Sequence, residues 1–310
     1  MFIIAEVGSN WATREDCLNS ISLAAKCGAN AVKFQMFTSE ELYGFNGRDL
    51  SACSLPREWI AGLAEKANAC GIEFMCTAFS AEGLKFINPY VKRHKIASSD
   101  LCYLELLAAA KETGKPIIVS TGGHTVNDVS LAKDFLNGCD VTWLYCESSY
   151  PSNYIDMRKV SMLAPFGKYG LSDHSREVYS VPQWADDVGC LVLEKHVQFV
   201  DGVFPDSPHS LNCAEFKEMI NAFSGRDSGS LLSGPEKDMV LEHNRRLIAT
   251  VDISKGDTLQ FGVNFGSFRS LKPTWEGFHP FSSSKVNGKI LITDLKQGDA
   301  IDFKHLELTK

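Results

Sequence analysis

Eight short runs of apolar and β-branched residues recur through the first 223 residues, each separated from the next by a longer stretch with helical spacing. The runs are Phe2–Val7, Ala31–Gln35, Glu73–Thr77, Lys95–Ser98, Pro116–Ser120, Thr142–Cys146, Gly170–Ser172 and Leu191–His196. Between them, segments such as Cys17–Cys27, Glu58–Cys70 and Tyr103–Thr113 carry apolar residues at helical positions. Gly28, Gly71, Gly114 and Gly189 stand just before strands, where a helix ends and the chain must turn. Strands joined through helices run parallel, because the crossover returns the chain to the same end of the sheet. Eight such units fit a closed (β/α)8 TIM barrel, an α/β fold, better than an open sheet.

The pattern changes after residue 223. Residues 224–241 read as a linker, rich in Gly and Ser over Ser224–Pro235. Residues 242–310 read as a small β-rich module, with strands at Leu247–Val251 and Lys289–Ile292. Its turns Ser254-Lys-Gly-Asp257 and Lys296-Gln-Gly-Asp299 are alike and hint at pseudo-symmetry. A chain of 310 residues, 44% hydrophobic, has ample material for one large core and one small one. A net charge of −7 argues against nucleic acid or an anionic membrane as the main partner. The start, Met1-Phe-Ile-Ile-Ala-Glu6, lacks the basic region and long apolar stretch of a signal peptide, and every apolar run is interrupted before it could span a bilayer. A soluble, cytoplasmic protein is expected. The ten cysteines include no Cys-x-x-Cys pair and read as reduced, mostly structural thiols.

Period-two alternation then assigns strand residues to the barrel axis. In Ala31-Val-Lys-Phe-Gln35, Val32 and Phe34 face the helices, which turns Lys33 and Gln35 inward. The same rule collects Glu6, Ser172, His174, Glu194 and His196 at the C-terminal ends of their strands, where barrel enzymes do chemistry. A buried lysine needs a partner anion, and Glu6 is the nearest structural alternative to a ligand. His174 and His196 end consecutive strands with 21 residues between them, so both imidazoles emerge at one rim, a metal site more readily than a packing device. His94, His124, His209, His243, His279 and His305 lack such an arrangement and read as loop or surface residues. Lys95-Ile-Ala-Ser-Ser-Asp100 and Tyr145-Cys-Glu-Ser-Ser-Tyr-Pro151 add a cation, hydroxyls, a carboxylate and phenols at the barrel mouth. Such a mouth suits a small phosphorylated acid. Gly122-Gly123 reads as a tight turn rather than a phosphate loop, and no Walker or dinucleotide pattern occurs.

Several motifs together resemble the sialic acid synthases. They are Ile3-Ile-Ala-Glu-Val-Gly8, Ala31-Val-Lys-Phe-Gln35, Lys95-Ile-Ala-Ser98, Lys115-Pro-Ile-Ile-Val-Ser-Thr-Gly122, Leu171-Ser-Asp-His174 and Glu194-Lys-His196. The resemblance continues through Pro205-Asp-Ser-Pro-His-Ser-Leu211 to Arg245-Arg246, Asp252-Ile-Ser-Lys-Gly256 and Asn287-Gly-Lys289, which look like that family's antifreeze-like (SAF) domain.

The resemblance implies a barrel plus SAF domain in a domain-swapped homodimer. The implied reaction condenses phosphoenolpyruvate with an N-acylated amino sugar and water. His174 and His196 would hold Mn2+, with Mg2+ or Co2+ as alternatives. Lys33, Thr77, Lys95, Ser98, Ser148 and Ser172 would cradle phosphoenolpyruvate, with Gln35 beside them. Asp100 would activate the water, and Glu6, Tyr150 and Asp206 would meet the sugar and the metal's water shell.

Four places depart from the family. Asn10-Trp-Ala-Thr13 replaces Asn-His-Asn-Gly, Asp100 is one methylene shorter than the usual Glu, and Thr77-Ala-Phe79 replaces Thr-Pro-Phe. Lys272-Pro-Thr274 is the nearest match to an Arg-Pro-Gly segment that contacts the sugar, with Arg269 as the other source. The expectation is kept chemistry with a shifted sugar specificity. The alternatives are a related phosphoenolpyruvate–aldose condensing enzyme and a catalytically silent sugar-binding protein.

Overall fold

Eight parallel strands pair in sequence order, and the eighth returns to the first to close a barrel. The computed structural model describes residues 1–43, 49–152, 155–224, 245–269, 278 and 280–307. The strands are β1 (Phe2–Gly8), β2 (Ala31–Met36), β3 (Glu73–Ala78), β4 (His94–Ile96), β5 (Ile117–Ser120), β6 (Val141–Cys146), β7 (Lys168–Asp173) and β8 (Val192–His196). The helices are α1 (Arg14–Cys27), α2 (Ser39–Tyr43), α3 (Arg57–Ala69), α4 (Ala81–Ile87), α5 (Leu104–Glu112), α6 (Val126–Phe135), α7 (Met157–Ser161), α8 (Ser180–Asp187) and α9 (Cys213–Ser224). Gly28, Gly71, Gly114 and Gly189 all have positive φ where the chain turns into the next strand, as expected. Thr13 and Thr125 start α1 and α6 with reciprocal capping boxes to Asp16 and Asp128.

Two apolar layers hold the barrel. Outward residues such as Val32, Phe34, Phe74, Trp143, Leu171 and Leu193 pack under the helices. Each fully buried side chain of this size contributes about 1.5–3 kcal/mol. Inside the barrel, Ile4, Ala31, Met75, Ile118, Leu144 and Val192 form a separate apolar plug.

Most strand bounds differ from expectation by one or two residues, β7 running over Lys168–Asp173 rather than Gly170–Ser172, and three differences bear on the argument. The fourth strand is His94–Ile96, not Lys95–Ser98, because Ser98–Asp100 folds into a 3-10 turn closed by Leu101 N–H donating to Ser98 O. That shift places His94 in a strand, wholly buried, with Nε2 against Asn88 Oδ1 at 3.1 Å, rather than at the surface. In the second unit the first strand is Arg245–Ala249, and the expected Lys289–Ile292 strand is reduced to isolated bridges at Ile290 and Leu291. Residues 225–244, most of the expected linker, lie outside the described residues.

The chain divides into two compact units, Met1–Asp227 and Ser228–Lys310. The second packs Leu247, Ile253, Leu259, Phe265, Leu291, Leu295 and Ile301 beneath an antiparallel pair, Arg245–Ala249 with Phe265–Arg269. Its two Gly-Asp turns match in detail. Asp257 accepts from Ser254 N–H at 3.0 Å and Asp299 from Lys296 N–H at 2.9 Å, with Gly256 and Gly298 at φ of +94° and +90°. Ile253 and Leu295, just before the two turns, bond each other reciprocally. All ten cysteines are free thiols. Among the described residues no helix is long and apolar enough to cross a membrane.

Candidate active site

Two residues beyond the apolar plug, the same strands turn polar. Ile4 is followed by Glu6, Ala31 by Lys33, Met75 by Thr77, Ile118 by Ser120, Leu144 by Cys146 and Val192 by Glu194. Period two carries each of these side chains to the axis, one layer nearer the C-terminal ends. They floor a cavity of about 750 Å³ that opens at that end.

The floor is a chain of alternating charges. Lys33 Nζ lies 2.8 Å from Glu6 Oε2 and 3.5 Å from Glu194 Oε2, and donates to Thr77 Oγ1 at 3.1 Å. Lys95 Nζ lies 3.6 Å from Glu194 Oε1 and donates to Ser120 Oγ at 2.7 Å. Ser172 Oγ donates to Glu194 Oε1 at 2.9 Å, and Gln35 Nε2 donates to Glu6 Oε1 at 2.9 Å.

Burial and partners set the protonation of these groups in opposite directions. Burial pushes Glu6 up to about 7, against the pull of Lys33. Glu194 is buried as well, but Lys33, Lys95 and the Ser172 hydroxyl hold it down at about 2. Burial alone would lower Lys33; Glu194 and Glu6 raise it to about 12. Lys95 is lowered by burial, opposed by Glu194. The floor therefore holds two cations, one firm carboxylate and one carboxyl poised near neutrality.

Beside Lys95 the backbone opens a cradle. Gly122 N–H donates to Ser98 Oγ at 3.1 Å, and a Cβ on Gly122 would stand 2.3 Å from Ser148 Oγ and 2.8 Å from Cys146 O. Only glycine leaves that space free, so Gly122 both makes the turn and lines the cavity. Lysines and hydroxyls converging this way match a phosphate or carboxylate group.

One layer nearer the mouth stand three imidazoles. His174 and His196 rings are 5.3 Å apart, and His196 and His209 rings 4.5 Å. His174 Nδ1 lies 3.0 Å from Glu147 O, a carbonyl that can only accept, so the proton sits on Nδ1 and Nε2 carries the lone pair, with Ser172 Oγ at 3.5 Å. Tyr150 stacks on His174 at 4.2 Å. Burial lowers His174 to about 4 and lowers His196 and His209 too, keeping all three neutral. His196 Nδ1 and His209 Nε2 are buried with no hydrogen-bond partner. Neutral buried imidazoles, two of them with a partnerless ring nitrogen, fit a divalent cation.

Nearly all the residues read from sequence meet in this cavity: Glu6, Lys33, Gln35, Thr77, Lys95, Ser98, Ser148, Tyr150, Ser172, His174, His196 and Asp206 line it. Asp100 does not. The 3-10 turn carries it out of the strand's alternation, and its Oδ2 is buried with no hydrogen-bond partner while burial raises the carboxyl to about 6. Lys272 lies outside the described residues.

Two of the four departures from the family also point away from the cavity. Asn10 is buried and donates to Val197 O and Ser210 Oγ, and Trp11 donates to Gly8 O and packs edge-on against Trp59. Ala78 belongs to the helix-facing core. His209, Ser120, Cys146 and Gly122 were not singled out as site residues but belong to the site. His209, expected in a loop or at the surface, lies in the segment after β8 but is only 3% exposed. Its signal was its place three residues after Asp206, in a motif already noted.

The NeuB family model matches residues 20–227. Pseudaminic acid synthase of Campylobacter jejuni subsp. jejuni serotype O:2 is 31% identical, with 97% of this chain and 95% of that protein covered. N,N'-diacetyllegionaminic acid synthase of Legionella pneumophila is 29% identical, covering 99% of this chain and 94% of that one. The crystal structure of N-acetylneuraminic acid (sialic acid) synthetase from Leptospira borgpetersenii, in complex with citrate, superposes with a TM-score of 0.68 at 28% identity, covering 78% of this chain and 90% of that one. With its barrel matched by the family model and such relatives aligned along nearly its whole length, this chain belongs to the NeuB family.

Proposed function

We propose that the protein is a nonulosonic acid synthase. It condenses phosphoenolpyruvate with an N-acylated amino sugar of the N-acetylmannosamine type and water, giving a nine-carbon 2-keto acid and phosphate. The observation that carries this reading is the division of one cavity into a lysine-and-hydroxyl floor and an imidazole rim. The relatives' names support the class of product.

Lys33 and Lys95, with Thr77, Ser98, Ser148 and Ser172, bind the phosphate and carboxylate of phosphoenolpyruvate and present its enol carbon toward the rim. His174 and His196 hold a divalent cation, Mn2+ or else Mg2+ or Co2+, which when bound polarises the sugar's aldehyde. The enol carbon bonds to the aldehyde carbon, whose oxygen takes a proton and becomes a hydroxyl. Water adds to the cationic carbon left behind and gives up one proton, and the carbon–oxygen bond to phosphate then breaks, the remaining hydroxyl proton leaving with the phosphate as the keto group forms. Glu6, near neutrality and bonded to Gln35, is the group able to give and regain a proton at working pH. Asp100 is outside the cavity, so the proton work falls to Glu6. Asp206 and Tyr150 face the sugar at the mouth.

We also read residues 242–310 as an antifreeze-like domain and the assembly as a homodimer, which sedimentation measures directly. The activity is tested by phosphate release from phosphoenolpyruvate with Mn2+ and a panel of aldoses, led by N-acetylmannosamine and 2,4-diacetamido-6-deoxy sugars. Release that requires one sugar and is lost with chelator is expected. No release with any of them, from folded and metal-loaded protein, overturns the reading.

A further inference from the structure

The segment that follows β8 carries a feature beyond the His174–His196 pair. His196, Asp206 and His209 each offer a ligand atom, and these atoms all lie within 4.8 Å of one another. Asp206 Oδ1 is 3.7 Å from His209 Nε2, and Asp206 Oδ2 is 3.9 Å from His196 Nδ1. Those separations are too long for hydrogen bonds. They match two atoms sharing one ion, since ligands each about 2.0–2.2 Å from a metal stand roughly 3–4 Å apart.

The two nitrogens are 94% and 97% shielded as residues and have no hydrogen-bond partner, which is costly unless something fills the gap. The protein also holds the three groups in place. Ser9 N–H donates to Asp206 Oδ2 at 3.1 Å, and a Cβ on Gly8 would stand 2.2 Å from that same oxygen. Ser210 Oγ donates to Asp206 O at 2.7 Å and accepts from Asn10 Nδ2 at 2.8 Å, which fastens the turn bearing His209 to the loop after β1. Asn10, the one residue of the Asn10–Thr13 stretch that keeps the family's identity, braces this turn.

We propose that His209 Nε2 and an Asp206 carboxylate oxygen join His196 Nδ1 as direct ligands of the divalent cation. The proposal rests on the reading that this cavity binds such an ion. His174, whose ring lies 6.1 Å from that of His209, is placed to add a further nitrogen. A site with two or three imidazoles and one carboxylate favours Co2+, Zn2+ or Mn2+ over Mg2+, which prefers oxygen ligands and keeps its waters.

The test uses the full-length protein stripped with chelator and titrated with Co2+ or Mn2+ alone, in the absence of both substrates. Binding is read by equilibrium dialysis, by Co2+ visible absorption and by nitrogen couplings in pulsed Mn2+ resonance. The wild type is expected to bind one ion. His209→Gln should weaken binding at least tenfold and remove one nitrogen coupling, and Asp206→Asn should weaken it similarly. His209→Cys supplies a thiolate ligand, and a new sulfur-to-cobalt charge-transfer band in that variant supports direct ligation, which a merely structural His209 would not produce. Unchanged affinity and couplings in folded His209→Gln, with binding lost in His196→Gln, overturn the His209 assignment and leave the metal reading standing. No ion bound by the wild type overturns both, while sugar-dependent phosphate release in chelator would still report the synthase.

Discussion

Asp173 and Lys195 form an ion pair of 2.5 Å on the helix-facing side of neighbouring strands, with neither side chain exposed. Each directly precedes a rim histidine, His174 or His196. Lys195 Nζ also donates to Ser175 O at 2.7 Å, and Asp173 Oδ1 accepts from Ser175 N–H at 2.8 Å. The pair thus pins β7 where the chain leaves the barrel. Removing one partner of a buried pair leaves an uncompensated charge, which costs about 3–5 kcal/mol. Lys195→Met should lower unfolding free energy by about that amount in a urea titration. Adding Asp173→Asn should recover much of the loss.

Lys95 touches Ser120 and Glu194 and faces the anion cradle. A charged hydrogen bond is worth about 1.5–3 kcal/mol, roughly 10–150-fold in binding. Lys95→Met should weaken phosphoenolpyruvate by that factor in calorimetry while leaving Co2+ affinity within about threefold, since Lys95 makes no contact with the imidazoles.

The pH dependence follows from Glu6. Its folded carboxyl, at about 7, is raised from an ordinary value of 4.5, so the native state holds a proton that the unfolded chain releases between those values. Glu6 therefore supports stability in its neutral form below 4.5, and that contribution is lost as pH rises through 7. Glu6→Gln keeps the neutral form at every pH. Relative to wild type, its unfolding free energy should rise from pH 5 to pH 8, as read by chemical denaturation at both. A difference that stays flat across that range would refute the assignment.

Gly122→Ala puts a methyl group 2.3 Å from Ser148 Oγ and 2.8 Å from Cys146 O. The second of these is backbone and cannot swing away. A displacement of about 1 Å among aligned groups can cost about 100-fold. Phosphate release should fall by about that factor in this variant, and the anion's KM should rise.

The barrel and its floor were legible because both rest on local rules. Alternation placed Lys33, Glu6, Ser172 and Glu194 on the axis, and the structure brings them within ion-pair or hydrogen-bond reach of one another through Lys33 and Glu194. The misses lie where those rules stop. Asp100 follows a strand by a 3-10 turn, which breaks the two-residue period. Trp11 looks like a rim residue, yet its indole bonds Gly8 O and packs on Trp59. His209 is set in place through Asn10 and Ser210, 200 residues apart, and no window of sequence contains that contact. Asp173 and Lys195 sit at positions where alternation calls for apolar side chains, and only their mutual neutralisation lets them stay.

The apolar plug below the polar floor has a consequence for timing. Ile4, Met75, Ile118, Leu144 and Val192 pack across the barrel beneath the cavity, so among the described residues its floor is closed by apolar side chains. The lysines lie at its bottom, and His174 and His196 lie one layer above them, beside the exit. A molecule seated against the histidines stands over whatever the lysines hold. On the function proposed above, the anion would enter before the sugar and its remnant would leave after it, an ordered queue set by the depth of the two layers before any difference in affinity is considered.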